Sequence, residues 1–265
     1  MKNIKLVALD MDGTLLDDSL ILSERNKNTL NELLGQGIHI VFATGRTFKA
    51  AQFYAKELCK DIPLITYNGA LIKMSASEEE ILSNTIPVEN ANQIIKLGEQ
   101  YDIYTKVYIN DVLYVERETL ESKVFSREHR IQYCAIGKLS SNITQPPNMI
   151  VFKDSLQKIT TIREKLKNHM KDTLSFTLSN PYSLEFSAPG VSKANGLIYL
   201  STKLNISKNE MLAIGNSLND LDMLKLAGTG IAMKNSDDEL KISWEEVSEY
   251  TNNDDGVAKI IDKYL

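Results

Sequence analysis

Two aspartates separated by a single residue, Asp10 and Asp12, are the side chains of this chain best placed to do chemistry. They follow the apolar residues 6–9 and precede Gly13. Because side chains two apart on a strand point the same way, both carboxylates are expected on one side of the strand's carboxyl end. One carboxylate can attack an electrophile or bind a cation while the other moves protons. A simple acidic turn is the alternative, since Asp-Gly pairs are common in turns.

Other polar residues also come directly after apolar runs that are typical of short buried strands. The runs and the residues that follow them are 38–43 with Thr44, Gly45 and Arg46, 64–67 with Asn68, and 211–214 with residues 215–220. Helical patterns lie between the strands, at residues 47–60 and 193–204 and after the N-cap candidate Ser23. This alternation predicts a doubly wound, mainly parallel α/β sheet, whose ligands bind beyond the carboxyl ends of the strands.

The middle of the chain has a different pattern. Its predicted elements are a helix at 89–101, a hairpin of 104–109 and 112–116, a strand at 149–153, a helix at 155–171, and strands at 174–178 and 183–186. Helices mixed with antiparallel strands predict an α+β domain inserted into the parallel core. We therefore expect a core at 1–83, an inserted cap domain at 84–187, and a second core segment at 188–265.

Composition limits the classes of function. A net charge of −5 without a local Lys/Arg cluster argues against a nucleic-acid partner. No apolar run has membrane-spanning length, and the first strand begins too early for a signal peptide, so we expect a cytoplasmic protein with no membrane partner. Cys59 and Cys134 are far apart and predict reduced thiols rather than a disulfide or a metal-binding pair.

Taken in order, the polar groups resemble the four motifs of the haloacid dehalogenase superfamily. The matching motifs are Asp10-x-Asp12-Gly13-Thr14, Thr44-Gly45-Arg46, Lys193, and Gly215-Asn216-Ser217-Leu218-Asn219-Asp220. The position of the insertion, before the Lys193 helix, resembles that of the large α/β cap in the Cof-type phosphatases. The match covers both core segments, whereas the insertion matches only in placement and pattern.

The resemblance implies a Mg²⁺-dependent hydrolase of phosphate monoesters that works through an aspartyl phosphate. Asp10 would be the nucleophile, and Asp12 would protonate the leaving oxygen and later activate water. Thr44 would hydrogen-bond the phosphoryl oxygens, and Lys193 would supply positive charge to the nucleophile and the transferring group. Taken alone, Thr44 is also a plausible helix N-cap and Lys193 a solvated lysine.

The remaining motif residues would bind metal and substrate. By the same resemblance, the metal ligands would be Asp10, the backbone carbonyl of Asp12, Asn216 and Asp220. The substrate would be contacted by Gly45, Arg46, Asn68 and Asn219. A structural role between the domains is an open alternative for Arg46 and Asn68.

Asn216 departs from the family pattern, in which most relatives have Asp. An amide oxygen can still bind or orient a metal ligand, but it lacks the negative charge. We therefore expect a retained magnesium site of weakened affinity. An Asn216→Asp variant should then need less Mg²⁺ for half-maximal activity.

The expected substrate is a small phosphorylated metabolite, either a sugar phosphate or a nucleotide-related ester, bound by a monomer or homodimer. The cap would close over it and exclude water. Two alternatives remain open. A phosphomutase would use an acceptor hydroxyl instead of water, and a ligand-binding or regulatory homologue would have lost catalysis, which only Asn216 favours.

Overall fold

The computed structural model describes residues 3–167 and 175–265. Its contacts divide the chain into two compact units, called here the core unit and the inserted unit. The core unit comprises Met1–Gly45, Ala51–Ile81 and Ser192–Leu265, and the inserted unit comprises Arg46–Ala50 and Leu82–Val191. These boundaries lie within four residues of those expected at 83/84 and 187/188. The short segment Arg46–Ala50 groups with the inserted unit, which the sequence did not indicate.

The secondary structure alternates before and after the insertion. Before it lie β1 (Leu6–Leu9), α1 (Glu24–Gly35), β2 (His39–Ala43), α2 (Phe48–Ala55), β3 (Pro63–Thr66), β4 (Leu71–Met74) and β5 (Glu80–Ser83). Within it lie α3 (Val88–Gln100), β6 (Tyr104–Ile109), β7 (Val112–Val115), α4 (Leu120–Glu128), β8 (Gln132–Ala135), α5 (Leu139–Asn142), β9 (Met149–Lys153), α6 (Leu156–Lys167), β10 (Ser175–Asn180) and β11 (Ser183–Ser187). After it lie α7 (Lys193–Lys203), β12 (Met211–Gly215), α8 (Leu221–Leu226), β13 (Thr229–Ala232), α9 (Asp238–Ser243) and α10 (Gly256–Tyr264).

The larger sheet has the strand order β13-β12-β1-β2-β3-β4-β5. Its pairs from β13 to β3 are parallel, and β4 runs antiparallel to β3. Every residue of β1 and β12 is buried, as expected for parallel strands covered on both faces. The predicted α/β fold is confirmed.

Local capping explains where two core helices begin. Ser23 accepts a hydrogen bond from the backbone N–H of Asn26, which caps α1 as its sequence predicts. Ser192 caps α7 in the same way by accepting from the N–H of Asn195. This cap fixes the first turn of α7, so Lys193 is the first residue of a defined helix.

The inserted unit contains a six-stranded sheet in the order β10-β11-β9-β6-β7-β8. Its strand pairs are antiparallel except for β7 and β8. The predicted hairpin of β6 and β7 turns at Asn110 and Asp111, which both have positive φ, as a two-residue type I′ turn requires. Ile94, Ile150 and Phe152 belong to the buried core of this unit.

Several elements differ from the sequence expectations. Helix α2 ends at Ala55 instead of residue 60, partly because the N–H of Cys59 donates to the side chain of Asn31. The short strands β4, β5 and β8 and helix α4 were not predicted; β4, β5 and β8 have only four residues each. Parts of the predicted helix at 155–171 and strand at 174–178 lie outside the described residues. Within the described ranges, no helix is both long and apolar enough to cross a membrane.

Candidate active site

The predicted site residues of the core unit come together beyond the carboxyl ends of neighbouring parallel strands. Asp10 follows β1, Thr44 follows β2, and Asn216 follows β12. Asn68 lies in a single 3₁₀ turn, Tyr67–Gly69, directly after β3. Because these strands are adjacent and parallel, their ends form one rim, as the sequence pattern predicts.

A buried ion-pair cluster forms the centre of this rim. The Nζ atom of Lys193 lies 2.6 Å from Asp10 Oδ1 and 2.7 Å from Asp220 Oδ1. Lys193 is 1% exposed, Asp10 5% and Asp220 0%. Two carboxylates therefore share a single buried ammonium, which leaves one negative charge uncompensated when both are ionised. Such a cluster attracts a further cation or a proton.

The same imbalance shifts the pKa values of the cluster. Burial raises the pKa of Asp10 to about 7, the Asp220 carboxylate adds to this, and the Lys193 ammonium opposes it. Burial would lower the pKa of Lys193, but the charges of Asp10 and Asp220 outweigh burial and raise it. A cation bound beside Asp10 would keep its carboxylate ionised, which is the form that can act as a nucleophile.

The side-chain amide of Asn216 lies against two oxygen atoms of the Asp10–Asp12 segment. When the amide nitrogen faces them, three acceptors lie within reach of its two protons: Asp10 Oδ2 at 3.1 Å, the Asp12 carbonyl at 3.0 Å and Thr14 Oγ1 at 3.2 Å. In the opposite orientation Thr14 Oγ1 donates to Asn216 Oδ1. The amide oxygen then faces two acceptors with no proton between them.

Asp10 Oδ2, the Asp12 carbonyl oxygen and the Asn216 amide oxygen are a suitable donor set for Mg²⁺, which prefers carboxylate and carbonyl oxygens. They come from a carboxylate, a backbone carbonyl and an amide, so Asp10 is the one of the three that carries a negative charge. The described residues contain no group of three or more His, Cys, Asp or Glu side chains that could hold a metal ion.

Asp220 makes a second set of contacts within its own loop. Its Oδ2 accepts hydrogen bonds from the backbone N–H groups of Asn216 at 2.9 Å and Ser217 at 3.0 Å. A Cβ at Gly215 would lie 2.5 Å from the Asp220 carboxyl carbon, so only glycine fits there. Asp220 therefore fixes the loop after β12 and holds Lys193, while its predicted role as a metal ligand stays a prediction.

The ends of β2 and β3 contribute Thr44, Gly45 and Asn68 to a polar patch, which Asn219 joins from the loop after β12. Asn68 donates its N–H to the Thr44 carbonyl at 3.0 Å, and its side-chain oxygen accepts from Asn219 Nδ2 at 3.3 Å. A Cβ at Gly45 would lie 3.2 Å from the side-chain oxygen of Asn68. Among the residues described, Asn219 Oδ1 is a buried acceptor without a donor in reach.

Asp12 and Arg46 have different surroundings. The Asp12 side chain is exposed, and its acid/base role stays a prediction. Arg46 is buried but belongs to the inserted unit, so its predicted substrate contact stays a prediction.

Sequence reasoning gave no role to several residues that support the Asp10–Asp12 turn. Asn235 Nδ2 donates to the Gly13 carbonyl at 2.8 Å, and Asn235 Oδ1 accepts from the N–H of Asn252. Asn252 Nδ2 in turn donates to the Leu16 carbonyl. The position of Asn235 shortly after β13 at the same sheet edge was the available signal.

Comparisons with known proteins agree with this geometry. The sequence model of the haloacid dehalogenase-like hydrolases matches residues 7–261. The 5-amino-6-(5-phospho-D-ribitylamino)uracil phosphatase YcsE of Bacillus subtilis is 30% identical over 260 residues, covering 98% of this chain and 95% of its own. A second Bacillus subtilis phosphatase of that name, YitU, is 26% identical over 265 residues, covering 98% and 97%. The structure of a haloacid dehalogenase-like hydrolase from Bacteroides thetaiotaomicron has a TM-score of 0.88 at 27% identity, covering 99% of this chain and 100% of that one.

Proposed function

Since the chain belongs to the haloacid dehalogenase-like hydrolase family and is a phosphatase, we propose that it hydrolyses small phosphate monoesters with Mg²⁺ through a phosphoryl group carried on Asp10. The observation that carries this proposal is the buried pair of Asp10 and Lys193, whose charged atoms are 2.6 Å apart. A buried carboxylate beside an ammonium is a preorganised site for the attack and charge stabilisation that phosphoryl transfer needs.

The reaction would proceed in two displacements at phosphorus. An Asp10 carboxylate oxygen attacks, the bond from phosphorus to the ester oxygen breaks, and that oxygen takes a proton from Asp12. Water then attacks the same phosphorus, Asp12 takes its proton, and the bond to Asp10 breaks. Lys193 and the backbone at Thr44 would stabilise the charge on the phosphoryl oxygens.

Mg²⁺ would be held by Asp10, the Asp12 carbonyl and Asn216, because Asp10 Oδ2 and the Asp12 carbonyl lie 3.1 Å and 3.0 Å from one terminal atom of the Asn216 amide. When bound, Mg²⁺ would offset the negative charge of the nucleophile and of the phosphoryl group. Asp220 would complete this ligand set, as its motif position implies, and it also holds Lys193 through Oδ1 and the loop after β12 through Oδ2.

The proposed substrate class is a phosphate monoester of a sugar or sugar alcohol, with or without an attached ring. Two observations support it. Asn219 Oδ1 is a buried acceptor that a substrate hydroxyl could satisfy. Relatives at 26–30% identity are named as phosphatases of a phosphorylated ribityl compound. We further propose a cytoplasmic enzyme, monomeric or homodimeric, without a nucleic-acid or membrane partner; its exposed free cysteines suit a reducing compartment.

A phosphate-release screen would test the proposal. The panel should contain sugar phosphates, nucleoside monophosphates and 5-amino-6-(5-phospho-D-ribitylamino)uracil, each assayed with MgCl₂ and with EDTA. We expect release that requires Mg²⁺ and is lost in Asp10→Asn. Wild-type turnover by Asp10→Asn would exclude Asp10 as nucleophile, and transfer of phosphate within the substrate without release would indicate a phosphomutase.

A further inference from the structure

We propose that the side-chain amide of Asn216 has two working orientations, with its nitrogen towards Asp10 when the site lacks a cation and its oxygen there when Mg²⁺ is bound. This inference rests on the proposed function, since it assumes that Mg²⁺ binds at this place. It adds a device specific to the amide, because a carboxylate at the same position has no donor to offer.

The first orientation is supported by the partners of the amide. Asp10 Oδ2 and the Asp12 carbonyl both accept, and they lie 3.1 Å and 3.0 Å from the same terminal atom of Asn216. When Asp10 is ionised and no cation is bound, the nitrogen is the end of the amide that can satisfy both, because two acceptors at this distance repel a third oxygen. The amide nitrogen thus supplies hydrogen-bond donors to two oxygens that a bound cation would otherwise stabilise.

The second orientation is supported by the same distances. Mg²⁺ binds oxygen at about 2.0–2.1 Å in octahedral geometry, so adjacent ligand oxygens lie about 3 Å apart. The separations of 3.0 Å and 3.1 Å match such an edge. An amide oxygen placed there is therefore spaced correctly to share a cation with Asp10 and the Asp12 carbonyl, provided that the amide turns over.

The surrounding charges make the difference between asparagine and aspartate at position 216 important for the stability of the site. Asp10 already lies near Asp220, and the two share the single ammonium of Lys193. Aspartate at position 216 would bring a third carboxylate against them and would remove the donors of Asn216. The amide therefore stabilises the cation-free site and must give up its hydrogen bonds when Mg²⁺ enters, whereas an aspartate would favour the cation-bound site.

Thermal unfolding without substrate tests this change in the orientation of the Asn216 amide. We compare the wild type with Asn216→Asp, in EDTA and across a MgCl₂ titration. The variant should melt at a lower temperature than the wild type in EDTA, gain more from saturating Mg²⁺, and reach its half-maximal shift at a roughly ten-fold lower Mg²⁺ concentration. Any other combination of these results overturns the inference.

Asn253→Asp is the matched control. Asn253 also donates its amide to an aspartate, with Nδ2 at 2.9 Å from Asp18 Oδ2, but this pair is exposed. The control therefore introduces the same charge beside a carboxylate outside the cluster. Its Mg²⁺-induced shift should equal that of the wild type; a shift as large as that of Asn216→Asp would show a general charge effect and overturn the inference.

Side-chain amide resonances give a direct readout. In ¹⁵N-labelled protein, the Asn216 NH₂ signals are identified as the pair that is missing from the Asn216→Asp spectrum. In the wild type, these protons should be protected from exchange with solvent in EDTA and should lose that protection when Mg²⁺ is added. An unchanged resonance overturns the inference even if the enzyme releases phosphate. Conversely, a resonance that responds to Mg²⁺ in a chain without phosphatase activity would contradict the proposed function but support the two orientations of the Asn216 amide.

Discussion

At the scale of single residues, the site depends on Lys193 being shared by two carboxylates. Its ammonium contacts Asp10 and Asp220, which come from different strand ends, so one charge links the nucleophile to the loop after β12. Burial of this cluster is costly without good geometry. Both distances are short, and the remaining Asp220 oxygen is satisfied by backbone N–H groups, as a stable buried cluster requires.

Gly13→Ala should damage both stability and activity. Gly13 has a φ of +72°, and a Cβ there would clash with the side-chain amide of Asn216. The strained backbone should cost about 1 kcal/mol in the free energy of unfolding, and the clash should add to it. Phosphate release should also fall, because the displaced amide can no longer face Asp10. Urea unfolding and a phosphate-release assay at fixed MgCl₂ measure the two effects.

Gly37→Ala separates backbone strain from the clash. Gly37 has a φ of +84°, but a Cβ there would meet nothing within 4 Å. This control should show the strain of about 1 kcal/mol and keep wild-type activity. Equal activity losses in the two variants would mean that the contact with Asn216 is unimportant.

At the scale of elements, helix α7 is positioned by its N-cap, so a change there should reach the site. In Ser192→Ala the cap is lost, which should cost about 1 kcal/mol in the free energy of unfolding. Because Lys193 is the next residue, the first turn of α7 should fray. The kcat should therefore fall more than in a variant that loses the same stability elsewhere. Ser23→Ala removes the equivalent cap of α1.

The test compares the stability and the kcat of Ser192→Ala and Ser23→Ala. Both variants should lose similar stability in urea titrations, whereas only Ser192→Ala should lose kcat at saturating substrate. If Ser23→Ala lowers kcat equally, the loss reflects general destabilisation and not the position of Lys193.

At the scale of the whole molecule, the parallel core was predictable because its signals are local. Each of Asp10, Thr44 and Asn216 directly follows a short apolar run, and parallel topology alone then brings them to one rim. The orientation of the Asn216 amide was not predictable, since it depends on the three-dimensional positions of Asp10 and Asp12. Strands β4 and β8 lack the fully buried apolar run that marks the equally short β1, because β4 is buried only in its first half and β8 is largely exposed.

Lys106 is another feature that sequence alone did not indicate. It lies on β6 in the inserted unit, is 5% exposed, and has its Nζ 4.0 Å from the centroid of the Phe125 ring. Burial lowers the pKa of Lys106 to about 8, the nearby Lys153 adds to this, and Glu121 opposes it. Keeping this cation inside the unit therefore costs stability at neutral pH, only part of which the aromatic ring can offset.

Lys106→Met should consequently stabilise the protein at pH 7, by up to about 3 kcal/mol. The folded pKa of about 8 lies below the ordinary lysine pKa of 10.5, so between these values the unfolded chain binds more protons. The free energy of unfolding contributed by Lys106 should therefore rise as pH rises from about 8 to about 10.5, and Lys106→Met should lack this rise. Urea titrations across this range measure it, with Lys158→Met as control, since the side chain of Lys158 is 43% exposed and paired with Asp154. A Lys106→Met protein with the wild-type pH dependence would show that the buried ammonium imposes no such cost.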